Sequence, residues 1–375
     1  MRNRFIESTS LANLKILQKI SQKRKLVSFY WEITARCNNR CRHCYNALTA
    51  GDKLAQKKEL TLGQIKDIAH QSVGLGALWC SLTGGEPLLR EDFLDIYLSL
   101  KKAGLLVSIF TNATLITKEH VRVFKKYPPR DMEVTVYGVT RETYERVSRN
   151  PGSFSSFKRG VALLRKENIP IRFKAMALHS NSHELPAMAQ AYRKITKDYF
   201  RFDPFLCLRI DGNPGKNNQI KSERLLPAEI ASLERNDPER FTALKNNCSN
   251  LINDLLSYSN CRYIFQCGAG ISSVYIGYDG RLRLCSALSQ PDCVYDLAGG
   301  SLSDAWENFI PKIRSMTSAN KDFLKKCKTC SIINLCMWCP AHTYLETGAL
   351  DKPVEYFCAV AHARAQMLGW GRINE

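Results

Sequence analysis

Cys37, Cys41 and Cys44 stand in the run Thr-Ala-Arg-Cys-Asn-Asn-Arg-Cys-Arg-His-Cys-Tyr (residues 34–45), directly after an apolar, strand-like segment. Three thiolates on one short loop are one short of the set that closes a four-iron cluster, which leaves one iron open to a small-molecule ligand. A structural metal site is normally closed. Taken alone, the triplet also reads as a zinc knuckle or as thiols sharing no ligand.

Other reactive residues fall at the ends of apolar runs. In Thr83-Gly-Gly-Glu-Pro87, Gly84 and Gly85 let backbone approach a ligand closely and Glu86 supplies a carboxylate for a cation, although Gly-Gly-Glu-Pro is also an ordinary turn. Thr111 and Asn112 end a later run and Thr135 lies near the end of the next. Such hydroxyls and amides hydrogen-bond ribose and carboxylate oxygens, while Asn112 equally suits a turn and Thr135 a plain strand. Arg209 and Asp211 close the last run, as catalytic substrate contacts or as a structural ion pair.

Toward the C-terminus the spacing is Cys261-x5-Cys267-x17-Cys285, then Cys327-x2-Cys330-x5-Cys336-x2-Cys339, then Cys358. Eight thiols close two four-iron clusters; the C-x2-C pairs also suit paired zinc ribbons. Cys80, Cys207, Cys248 and Cys293 have no ligand spacing, and Cys80 and Cys207 read as core because their surroundings are apolar.

These residues need a scaffold. Strand-like runs at 26–34, 77–83, 105–111, 132–137, 169–178 and 200–210 alternate with helical ones, the pattern of an α/β fold built as a partial (β/α)6 TIM-type barrel. In βα barrels the working residues collect on the loops after the strands, and each motif before residue 212 lies at such an end. Thr61 with Gln64 predicts a capping box, Gly74 and Gly104 helix stops, and Ser153 the start of a helix carrying Val161, Leu163 and Leu164. Gly212-Asn-Pro-Gly215 ends the alternation. The division is an N-terminal helical extension (1–28), a barrel (29–215), a connector (216–258) and a small cysteine-rich α+β domain (259–375) with a hairpin at 275–284.

A chain of 375 residues, 45% hydrophobic and 24% charged, has enough apolar material for a substantial core. Fifteen cysteines at ligand spacings in a chain this long point to a reducing cytoplasm and not to a disulfide scaffold. No apolar run is long enough for a signal peptide or a membrane span. The formal charge of +19 raises nucleic acid as a partner. Its lysine pairs, such as Lys57-Lys58, Lys101-Lys102, Lys125-Lys126 and Lys325-Lys326, are dispersed as on solvated helix faces, so an acidic peptide ranks ahead of nucleic acid.

The triplet, with His43 as the ring-bearing residue before its last cysteine, resembles the signature of the radical SAM enzymes. The resemblance implies a 4Fe-4S cluster whose open iron binds S-adenosyl-L-methionine, which the reduced cluster cleaves to a hydrogen-abstracting 5'-deoxyadenosyl radical. It implies that Gly84, Gly85, Glu86 and Pro87 hold the methionyl amino group, with Thr111, Asn112 and Thr135 in the same site. Many relatives carry Ser-x-Asp-Gly in the fourth strand, where this chain reads Thr135-Val-Tyr-Gly138; the arginine that follows in relatives corresponds to Arg149, with Arg146 its rival.

The C-terminal segment, including Gly280-x4-Cys285, resembles the SPASM extension of radical SAM peptide and protein maturases. That implies two auxiliary 4Fe-4S clusters, one on Cys261, Cys267, Cys285 and Cys339, the other on Cys327, Cys330, Cys336 and Cys358. The two-residue gap between Cys336 and Cys339 departs from the usual three. In sulfatase-maturing relatives a carboxylate following the third auxiliary cysteine acts as base; Ser286 stands there, which argues against sulfatase maturation. The expectation is an oxidoreductase that installs a thioether or C–C crosslink in a ribosomally made peptide or protein. It would draw electrons from a donor such as flavodoxin or ferredoxin. The N-terminal segment is short for a leader-binding winged helix, so leader binding would need the barrel, the cysteine-rich module or a separate leader-peptide-binding protein. The competing expectations are a small-molecule oxidation in cofactor biosynthesis and, from another class, an iron–sulfur electron-transfer or nucleic-acid-binding protein.

Overall fold

The computed structural model describes residues 24–196, 200–252 and 263–369. Most of the expected N-terminal helix, Cys261 and the side chain of Cys248 lie outside the described residues. Six strands, β1 (Ser28–Glu32), β2 (Trp79–Thr83), β3 (Leu106–Thr111), β4 (Asp131–Thr135), β5 (Ile171–Met176) and β6 (Arg201–Asp203), pair parallel in chain order. Between them run α1 (Leu62–Gly74), α2 (Phe93–Lys102), α3 (Lys118–Lys126), α4 (Arg141–Ser148), α5 (Ser153–Lys166) and α6 (Leu185–Ile195). Parallel pairing forces a crossover after each strand, and the helices serve as the crossovers.

Local sequence sets these limits. Thr61 caps α1 reciprocally with Gln64, the Thr61 N–H donating to Gln64 Oε1 at 2.9 Å and the Gln64 N–H to Thr61 Oγ1 at 3.3 Å. Phe29, Trp31, Cys80, Leu82, Val107, Ile109, Met132, Val134, Phe173 and Ala175 alternate along the strands and are buried in one core. Their neighbours Tyr30, Phe110, Thr135 and Lys174 point to the opposite face and line an inner cavity.

The sixth strand is shorter than expected. Pro204 has no N–H to give the ladder, and the Phe205 N–H turns back to Asp203 Oδ1 at 2.9 Å. Residues 204–210 therefore form a loop, and Cys207, expected in the core, is half-buried on the cavity wall.

The sequence pattern does not disclose where the C-terminal hairpin goes. β7 (Ser273–Ile276) joins β1 in parallel, and β8 (Arg281–Arg283) and β9 (Tyr295–Asp296) continue antiparallel. One nine-stranded sheet results, in the order β9-β8-β7-β1-β2-β3-β4-β5-β6. The connector is largely helical and includes α7 (Pro227–Asn236); α8 (Pro340–Thr347) and α9 (Glu355–Met367) close the described chain. Glu234 on α7 is fully buried and accepts two hydrogen bonds from Arg364 on α9, both 2.8 Å. Among the described residues no helix is long and apolar enough to cross a membrane.

Candidate active site

The cysteine loop leaves the C-terminal end of β1 and is held from three sides. Arg36–Cys37 pairs in parallel with Leu48–Thr49, closing the loop at its base. Arg36 is buried and forms a two-pronged ion pair with Glu59, Nε to Oε1 at 2.7 Å and Nη2 to Oε2 at 3.1 Å. On the outer side Asn150 Nδ2 donates to Asn38 O at 3.1 Å and to Asn39 Oδ1 at 2.9 Å, and the Arg40 N–H to Ser148 O at 2.9 Å.

The Gly84-Gly85-Glu86 segment runs alongside this loop. The Gly85 N–H donates to Thr34 O at 2.7 Å and the Glu86 N–H to Arg36 O at 2.9 Å. A Cβ on Gly84 would lie 2.3 Å from Thr34 O, and one on Gly85 2.4 Å from Arg36 O. The glycines are thus demanded by the backbone before Cys37 as well as by the cavity both of them line. Glu86 is fully buried and accepts from Thr111 Oγ1 at 2.7 Å, the Asn112 N–H at 2.7 Å and the Leu88 N–H at 3.2 Å. Burial raises its pKa to about 7 against the lowering effect of those bonds.

Cys37, Cys41 and Cys44 line a cavity of about 560 Å³ together with Gly84, Gly85, Thr111, Asn112 and Thr135. Backbone N–H groups point at the sulfurs, from Asn39 to Cys37 at 3.4 Å and from Ala47 to Cys44 at 3.3 Å. Tyr137, at the aspartate position of the Ser-x-Asp-Gly pattern, lines the same cavity close to Cys41. Burial first, then neighbouring negative charge, pushes the Cys37 thiol up and Cys41 to about 12. Such thiols become thiolates when a cation arrives, which is the condition an iron cluster meets.

Among the described residues no three His, Cys, Asp or Glu side chains gather tightly enough round one point for a single metal ion. The triplet instead stands around a space, and two buried polar atoms on its wall, Asn39 Nδ2 and His43 Nδ1, have no partner. The donor set therefore fits a multi-iron cluster with a polar ligand beside it.

The remaining expected residues lie elsewhere. Arg149 is exposed, in the left-handed conformation at the end of α4 (φ 51°), and is not on the cavity wall. Arg146 donates to Ser180 O at 3.0 Å. Arg209 and Asp211 face each other, Nε to Oδ1 at 2.9 Å and Nη2 to Oδ2 at 2.6 Å. They line a smaller cavity of about 260 Å³ that shares Cys41 and Cys44 with the first, so they sit behind the cysteine loop and off the larger cavity's wall.

Residues 31–191 match the family model described as the Radical SAM superfamily. The matched segment holds the end of β1, the cysteine triplet and the strands from β2 to β5. This chain is 32% identical over 155 residues to the AdoMet-dependent heme synthase of Methanosarcina barkeri, covering 41% of this chain and 44% of the relative. It is 26% identical over 260 residues to the antilisterial bacteriocin subtilosin biosynthesis protein AlbA of Bacillus subtilis, covering 68% and 54%. The chain thus spans about half the length of these curated relatives. Among solved structures it shares its fold with Streptococcus suis SuiB bound to precursor peptide SuiA, with TM-score 0.66, 16% identity and coverage of 92% and 79%. AdoMet-bound anSMEcpe gives TM-score 0.65, 13% identity and coverage of 92% and 96%.

Beyond the matched segment the described C-terminal cysteines form two groups. Cys267, Cys285 and Cys339 lie within electrostatic reach of one another, as do Cys327, Cys330, Cys336 and Cys358. The nearness of Cys336 and Cys358 raises the thiol pKa of Cys336 and lowers that of Cys358. Cys285 and Ser286 share the wall of the large cavity with the N-terminal triplet.

Sequence reasoning missed several further wall residues, among them Tyr45, Cys207 and Tyr275, and the buried Glu32 behind Tyr275. A carboxylate ending a buried strand was a legible signal for Glu32. For Tyr275 and Cys207 the pairing of β7 with β1 and the early end of β6 had to be known first.

Proposed function

We propose that this protein is a radical SAM oxidoreductase that modifies a ribosomally made peptide or protein, through a thioether or C–C crosslink. The observation carrying this reading is the single cavity whose wall unites the triplet, Gly84, Gly85 and Cys285. Cys37, Cys41 and Cys44 would hold the cluster. Gly84, Gly85, Glu86, Thr111, Asn112 and Thr135 would hold S-adenosyl-L-methionine, with Glu86 taking its amino group. When bound, the pair supplies a 5'-deoxyadenosyl radical as hydrogen-atom acceptor.

The C-terminal groups support two auxiliary 4Fe-4S clusters, on Cys261, Cys267, Cys285 and Cys339 and on Cys327, Cys330, Cys336 and Cys358. Such closed clusters suit electron transfer. The reading of a peptide substrate draws on SuiB, whose structure holds a precursor peptide, and on AlbA, a bacteriocin biosynthesis protein. A flavodoxin or ferredoxin and a separate leader-binding protein complete the expected partners.

The test is anaerobic reconstitution followed by chromatography and mass spectrometry of 5'-deoxyadenosine, formed from S-adenosylmethionine and a strong reductant. Peptides encoded beside the gene are then added and weighed for loss of hydrogen. Iron-loaded protein that forms no 5'-deoxyadenosine even with such peptides would overturn the reading.

A further inference from the structure

We propose that Glu32 is the proton acceptor of the large cavity, reached from it through the Tyr275 hydroxyl. This rests on the oxidative reading above. Joining a substrate C–H and X–H into a C–X bond, where X is sulfur or carbon, removes one hydrogen atom, one electron and one proton. An adenosyl radical is the class of acceptor for the hydrogen atom, and an oxidised iron–sulfur cluster for the electron. The proton falls to a protein base.

Among the described residues, no aspartate or glutamate lines the cavity. Glu86 is committed to three hydrogen bonds. Lys174 is a cation paired with Glu133. His43 is on the wall, but it stands between Cys41 and Cys44 in the loop that would hold the cluster, its ring against Tyr137 with centroids 6.0 Å apart.

Tyr275 lines the cavity, and its hydroxyl donates to Glu32 Oε2 at 3.0 Å. The other oxygen, Oε1, accepts from Asn46 Nδ2 at 2.9 Å, and Glu32 itself is 2% exposed. A proton can therefore reach Glu32 from the cavity if the hydroxyl hands its own proton inward and takes one from the cavity side. Burial holds Tyr275 well above the ordinary phenol range, so the two transfers are concerted.

The groups facing Glu32 are Tyr275 on β7, Tyr45 on the cysteine loop, Arg283 on β8, and Tyr278 and Asp279 in the turn between β7 and β8. Arg283 is buried, and its Nε and Nη1 have no hydrogen-bond partner, which leaves its charge available to the carboxylate. Burial wins over Tyr275, Arg283 and Asn46 and sets Glu32 at about 7, where it both accepts and releases a proton near neutrality.

Two measurements test this. In the first, reconstituted full-length enzyme acts on the peptide encoded beside the gene, and modified peptide is counted per 5'-deoxyadenosine, so loss of cluster or of cofactor cleavage divides out. The wild-type ratio should rise through about pH 7, as Glu32 ionises. Glu32→Gln and Tyr275→Phe should lower it about a hundredfold and abolish the inflection, with Glu32→Asp restoring part. Glu32→Gln with the wild-type ratio and inflection overturns the proposal. Wild type that makes 5'-deoxyadenosine but alters no peptide defeats the peptide reading instead.

The second is infrared titration of the full-length protein without substrate. The difference between wild type and Glu32→Gln should show one carboxyl losing its proton near pH 7. A Glu32 ionised throughout the range overturns the proposal whatever the peptide does.

Discussion

Glu86 Oε2 accepts the backbone N–H of Asn112 at 2.7 Å, so the loop after β2 is fastened to the end of β3 beside the cysteine loop. The bond compensates part of the cost of a carboxylate that is 0% exposed. Burial still raises Glu86 from 4.5 to about 7. Between those values the folded protein binds the proton more tightly than the unfolded chain. The contribution is fully present below pH 4.5 and is lost as pH rises to about 7. It amounts to about 3 kcal/mol. Urea unfolding of metal-free protein at about pH 4.5 and pH 8 should show wild type losing stability on the alkaline side, and Glu86→Gln losing about 3 kcal/mol less. An equal loss in both would mean that Glu86 does not titrate as its burial requires.

Gly85 has no room for a side chain. Its Cβ would meet Arg36 O at 2.4 Å, Ala35 O at 2.5 Å and Arg36 C at 2.6 Å, all backbone atoms that cannot swing aside. Gly85→Ala should cost about 2–4 kcal/mol in urea unfolding and lower iron loading of the triplet, because relief of the clash displaces residues next to Cys37. Gly51→Ala, with nothing within 4 Å, is the control and should leave both unchanged. A Gly85 variant as stable and as iron-rich as wild type would show that the segment is not wedged against the loop.

Replacing Cys37, Cys41 and Cys44 together by alanine should abolish 5'-deoxyadenosine formation while leaving about eight of about twelve irons. Iron and acid-labile sulfide analysis after anaerobic reconstitution checks the count. Retained cleavage, or loss of all iron, would separate the triplet from the role assigned to it.

Much of the parallel scaffold was legible because β1 to β5 carry dense apolar runs and each is followed by a punctuated helix such as α1, opened by Thr61. The last strand was misjudged because the apolar run at 205–210 reads as strand, while Pro204 ends the ladder. The β7–β1 pairing joins Ser28 to Ser273 across the whole barrel. Nothing local encodes a partner that distant, so Tyr275 could not be foreseen beside Glu32. The N-terminal triplet and Glu86 were legible because their spacing is the chemistry. Arg209 and Asp211 were ambiguous because a charged pair at a strand end looks alike whether it faces substrate or itself.

Their geometry now separates those roles. Arg209 is buried, and besides gripping Asp211 it donates from Nη1 to Ala47 O at 3.2 Å, three residues beyond Cys44. Asp211 is drawn below the usual carboxylate range chiefly by its hydrogen bonds from Arg209. Arg209 thus acts as a brace for the cysteine loop. Arg209→Ala should reduce iron retained by the triplet and lower stability by about 1–3 kcal/mol. Asp211→Asn should do less, since Arg209 keeps the Ala47 carbonyl. Measured per loaded cluster, 5'-deoxyadenosine formation should stay within about twofold of wild type in Asp211→Asn, a free-energy change below about 0.5 kcal/mol. A large fall per cluster, with iron content intact, would instead return the pair to the reacting site.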